Sequence, residues 1–130
     1  MRSVMKFARI QLAFLICICA GCLCGGCHEA DPGPPNMMRE VLGALQIRDG
    51  KERDAALATA CRESADQGSA PAVLMGIPRI EEGELRDKVA EDCAVILQDS
   101  GQPEAATDVA KLITIEAKRN ELLAKLKEGS

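Results

Sequence analysis

The chain has 130 residues, 47% of them hydrophobic, with no Trp or Tyr, two Phe and a formal net charge of −4. Beyond residue 27 it has no aromatic side chain and sets 13 basic residues against 20 acidic ones, so no nucleic-acid partner is expected: such a surface repels phosphates and offers no ring for bases to stack on. The single histidine, His28, leaves no Ser-His-Asp, Cys-His or zinc arrangement, and the reading is of a protein without catalytic residues, metal or cofactor.

Residues 1 to 9 carry Arg2, Lys6 and Arg9, residues 10 to 20 (IQLAFLICICA) are nearly all apolar, and small residues follow. That is the three-part layout of an export signal, with an apolar run short of the roughly 20 residues of a membrane span. An uncleaved N-terminal membrane anchor is the alternative. Ala20-Gly21-Cys22 and Gly25-Gly26-Cys27 each place small residues before a cysteine, which resembles the lipobox of a bacterial lipoprotein signal. The resemblance implies cleavage after residue 21, lipidation at Cys22, with Cys27 as second choice, and a lipid-held protein of the bacterial cell envelope. Cys17, Cys19, Cys22, Cys24 and Cys27 also have the spacing of a soft-metal site, but signal removal discards at least two of them.

Residues 22–36 end in HEADPGPPN, with three prolines and no apolar periodicity, and read as an extended tether. From there a 33-residue offset governs the chain. It aligns Ile47 with Ile80 and Ile113, Arg53 with Arg86 and Arg119, Asp54 with Asp87 and Asn120, and Gly68 with Gly101. A period in this range marks stacked supersecondary units, here 37–68, 69–101 and 102–128 within a domain reaching residue 130.

The absence of strand-forming aromatics and of period-two alternation makes the domain all-α. An opening helix with Met37, Met38, Val41, Leu42 and Leu45 on its stripe is followed by a long helix starting at Asp49, where Asp49 and Glu52 form a D-x-x-E cap. Gly68 and Gly101 stand where a residue of positive φ ends a helix, Pro71 and Pro103 suit the first turns of two short helices, and Pro78 stops its helix early. A second long helix runs from Glu82, and a last helix, from about Ile115 to Lys127, presents Ile115, Leu122, Leu123 and Leu126. That predicts six helices in three antiparallel pairs.

Leu57, Cys61, Gly68, Val73 and Ile80, and then Ala90, Ala94, Gly101, Ala106 and Ile113, occupy the places of the large, small and turn residues of a tetratricopeptide repeat, which Arg53 to Arg119 resembles. The period is 33 rather than 34, and the family's aromatic positions are absent; other helical-hairpin repeats share the plan. The resemblance implies a short right-handed α-solenoid whose long helices line a groove, here with Arg62, Lys88, Glu91, Val95 and Asp99, for an unidentified protein or peptide. These residues do not match the family's carboxylate clamp, so no ligand class follows. The alternative is a structural subunit, a homo-oligomer or part of an envelope complex, docking through its end helices.

Each recurring arginine sits near a helix N-terminus against the dipole, which predicts a compensating contact to the carbonyls ending the preceding short helix. Cys61 and Cys93, one register step apart, read as small buried apolar residues rather than a disulfide. Glu81 with Glu82 and Glu91 with Asp92 read as solvated charge.

Overall fold

The computed structural model describes residues 36–129. The signal segment, Cys22, Cys27 and the tether through Pro35 lie outside the described residues. Among the described residues there are six α-helices and no strand: α1 (Met37–Ala44), α2 (Gly50–Asp66), α3 (Ala70–Gly76), α4 (Gly83–Asp99), α5 (Pro103–Ala110) and α6 (Glu116–Glu128).

Local chemistry sets most of their ends. Asp49, in extended backbone, accepts from the Glu52 N–H at 2.9 Å and starts α2. Glu82 and Ile115 start α4 and α6 with nearly the same backbone, φ −71 and ψ 116 against φ −76 and ψ 108, yet neither side chain caps its helix. Both long helices α2 and α4 end alike. Gly68 and Gly101 have φ 70 and 81, and the next residue closes the turn: Ser69 N–H donates to the Ser64 carbonyl at 2.7 Å and Gln102 N–H to Leu97 at 2.9 Å. Pro71 and Pro103 lie in the first turns of α3 and α5. Pro78 falls in a 3-10 turn, Ile77–Arg79, that replaces the rest of α3.

The helices lie in two layers. The long helices α2, α4 and α6 pack consecutively, as do the short helices α1, α3 and α5, and each sequential pair α1–α2, α2–α3, α4–α5 and α5–α6 is in contact. Between the layers runs one aliphatic core in which Leu57, Val73, Ile77, Val89, Leu97 and Val109 are completely buried. Two apolar residues expected on the core stripes are not in it. Leu42 is 49% exposed, because in an eight-residue helix with Val41 and Ala44 facing inward the intervening position turns outward; Ile115 is 43% exposed, because it precedes α6 and escapes the helical period.

The three isoleucines close the same turn. Ile47, Ile80 and Ile113 each donate their N–H to the carbonyl three residues earlier, at 3.2, 3.1 and 3.2 Å. Their burial differs: Ile80 and Ile113 are 1% and 2% exposed, whereas Ile47 is half-buried. Cys61 and Cys93 are buried, free thiols. Burial pushes both thiols up to about 12, which keeps them protonated and unreactive at neutral pH.

One close approach fixes how the first helix pair meets the second. A Cβ placed on Gly76 would collide with the Cys61 sulfur and meet Val41 Cγ1 at 3.3 Å, whereas at the register-equivalent Gly43 nothing lies within 4 Å. Gly76→Ala is therefore expected to lower stability by about 1–3 kcal/mol through overpacking. Gly43→Ala should raise it by about 0.5–1 kcal/mol, the ordinary helix gain. Chemical denaturation of the two variants checks the contrast.

Candidate functional site

Two places on the long helices bring polar groups together. The first is their outward face. Arg62 on α2 donates from Nε and Nη2 to Asp92 Oδ2 on α4, at 3.1 and 2.9 Å, and Lys88 Nζ, one turn before Asp92, reaches Oδ1 at 2.8 Å. Burial pushes the Asp92 carboxyl up, but the Lys88 and Arg62 hydrogen bonds outweigh it and hold the group below its usual range. Two side chains of opposite helices are thereby fixed on one acceptor. One turn further along α4, Val95 is 43% exposed. Glu91 instead faces α6, lining a depression with Lys118, Glu121 and Lys125, and Asp99 is exposed at the end of α4. Of the five residues expected to line a groove, the structure thus joins Arg62 and Lys88 through Asp92, sets Val95 a turn beyond them, and places Glu91 and Asp99 apart.

The second place is the junction between one helix pair and the next. Asp54, 6% exposed on α2, accepts from the backbone N–H of Glu81 with both oxygens at 3.1 Å and from Glu82 N–H at 2.9 Å. Asp87, 3% exposed on α4, does the same 33 residues on: it accepts from Thr114 N–H at 2.9 Å, from the Thr114 hydroxyl at 2.8 Å and from Ile115 N–H at 3.2 Å. Each carboxylate sits at the amide-rich start of the following long helix, where negative charge is favoured. This explains why Glu82 and Ile115 need no cap of their own. Burial pushes the Asp87 carboxyl up; the Thr114 and Ile115 hydrogen bonds, with Arg86 nearby, overcome that and hold it below its ordinary 3.8.

The recurring arginines are near these junctions but have different partners. Arg53 pairs with Glu81 at 2.5 Å. The equivalent of Glu81 in the next unit is Thr114, which carries no charge, and the buried Arg86 Nε has no hydrogen-bond partner among the described residues. Arg119 Nη1 donates to the Ile113 carbonyl at 3.2 Å, in the turn after a short helix. Only Arg119 makes the carbonyl contact expected from the sequence.

No family model, curated protein or solved structure matches the chain.

Among the described residues no group of three His, Cys, Asp or Glu side chains is arranged to hold a metal ion, and no helix is long and apolar enough to cross a membrane. What the sequence analysis missed is the function of Asp54 and Asp87. The signal was present, as an acidic residue recurring at the offset beside the arginine, but the acceptor role depends on a loop 27 residues ahead.

Because the Asp87 carboxyl is held below 3.8, its ionised form belongs to the folded state. The stabilisation it supplies is complete above that ordinary value and is lost as pH falls through the lower, folded-state value. Asp87→Asn is expected to cost about 1–3 kcal/mol at neutral pH. Urea titrations of wild type and variant between pH 7 and 2 should show that gap closing only below about pH 4.

Proposed function

We propose that the chain is a non-enzymatic envelope lipoprotein carrying a small helical-repeat module that binds a protein or peptide. In this reading the module is a short right-handed α-solenoid, similar to tetratricopeptide repeats, exported by its signal and held at the membrane by lipid on Cys22. The two-layer packing of long and short helices and the equal contacts of Asp54 and Asp87 support stacked, equivalent units.

The observation that carries the binding reading is Val95, an apolar side chain left exposed on α4 beside the fixed pair Arg62–Asp92. A rigid polar frame around an apolar contact is how interface cores are commonly built. The partner is expected to lie across α2 and α4. A second reading, a structural subunit that assembles through its end helices, is favoured by the uncovered Ile47 and Gly43 at the first helix pair.

Crosslinking in native envelope membranes, followed by pull-down, tests the leading reading. Val95→Asp and Lys88→Glu are expected to reduce recovery of a wild-type partner by about tenfold or more, the scale of a lost interface contact. Their melting temperatures should stay close to that of wild type. Recovery of the same partners at the same yield with both variants would refute it.

A further inference from the structure

The first helix pair has an open groove on its end face. Gly43, Ala44, Ile47, Ala56 and Ala60 form its floor, and Glu40 and Glu63 stand at its rim. Adding 33 to the floor positions gives Gly76, Ile77, Ile80, Val89 and Cys93, all buried. That second groove is filled: Val41 and the Cys61 sulfur of the preceding unit lie against Gly76. The first groove is the same surface without its occupant, which accounts for a half-buried Ile47 where Ile80 and Ile113 are sealed.

We infer that the occupant is the last unit of a second copy of this chain, docking head to tail. The inference rests on the reading of the fold as stacked equivalent units, and concerns a different surface from the partner face around Val95. Carrying the 33-residue step past the end of the chain identifies what the second copy presents. The position of Cys61 becomes Lys127, that of Val41 becomes Thr107, and that of Asp54 becomes Asn120. Both Lys127 and Asn120 are exposed.

Each finds a counterpart in the first unit. Lys127 comes to Gly43, where the missing Cβ leaves room for its aliphatic stem and Glu40 and Glu63 offer two carboxylates for its ammonium. The Asn120 carboxamide oxygen comes to the backbone N–H groups of Arg48 and Asp49, which correspond to those of Glu81 and Glu82 and have no acceptor among the described residues. Charge complementarity and continuity with the interface used twice inside the chain select the second copy over an unrelated helix. Such an interface is heterologous and does not close on itself, so the copies form an open row.

The test uses full-length chain, half of it labelled with 15N, treated with a zero-length carbodiimide coupling reagent in membranes. Mixed-isotope peptides joining Lys127 to Glu40 or Glu63 are the expected product. Gly43→Leu, which fills the groove without removing a reacting group, should reduce their yield by about tenfold, the scale of a blocked contact. In density-matched detergent, Gly43→Leu and Lys127→Glu should each sediment as monomers, and a mixture of the two should form a one-to-one dimer, because each variant retains the end that the other has lost. Absence of the mixed-isotope peptide, an undiminished yield in Gly43→Leu, or a Lys127→Glu protein that still self-associates would each overturn the inference. If Gly43→Leu fails to fold, Lys127→Glu alone decides by the same sedimentation criterion. The stacking of units inside the chain is tested separately by Gly76→Ala, so failure here leaves that reading standing.

Discussion

A buried aspartate on one long helix holds the start of the next, and the arrangement of the helices depends on it. Asp54 and Asp87 each give a charged acceptor to two consecutive backbone N–H groups of the following junction. Hydrogen bonds to a charged group contribute roughly 1.5–3 kcal/mol each, and a carboxylate this buried is unfavourable without them. The contact therefore does more than add stability. It fixes the distance and angle at which successive long helices pack, because sliding either helix would leave a buried charge unpaired.

That constraint explains features that look unrelated. Glu82 and Ile115 begin helices without capping them, since the preceding aspartate already occupies the positive end, while α2, with no described unit before it, begins on its own Asp49. With the junction fixed, the core fills by complementary sizes. Cys61 faces Gly76 in the first interface, and at the equivalent positions of the second stand Ala94 and Val109, so the larger residue changes sides. Small volume changes of this kind matter in a core without aromatic side chains, where no large ring can shift to absorb a gap.

Helix number and type, the Asp49 cap, the positive-φ glycines and the first-turn prolines were legible in the sequence because each is decided by a few neighbouring residues. Partners were less legible. The three arginines recur at one offset, yet Arg53 finds Glu81 while Arg86 finds only Thr114 at the equivalent place, so recurrence of a residue type did not determine its contact. The expected groove shows the same limit. Arg62 meets Asp92, but one unit later the equivalent positions are Val95 and Lys125, and the pairing does not repeat. Leu42 and Ile115 were placed in the core by apolarity alone, although one lies on the outer side of a short helix and the other outside its helix altogether.

Amide hydrogen exchange, resolved by NMR, tests the junction account most directly. Asp54→Ala should accelerate exchange at Glu81 and Glu82 while leaving Thr114 and Ile115 near their wild-type rates, and Asp87→Ala should do the reverse. Unchanged rates at all four amides in both variants, or equal acceleration of all four in each, would contradict the claim that these two carboxylates hold successive helix pairs in register.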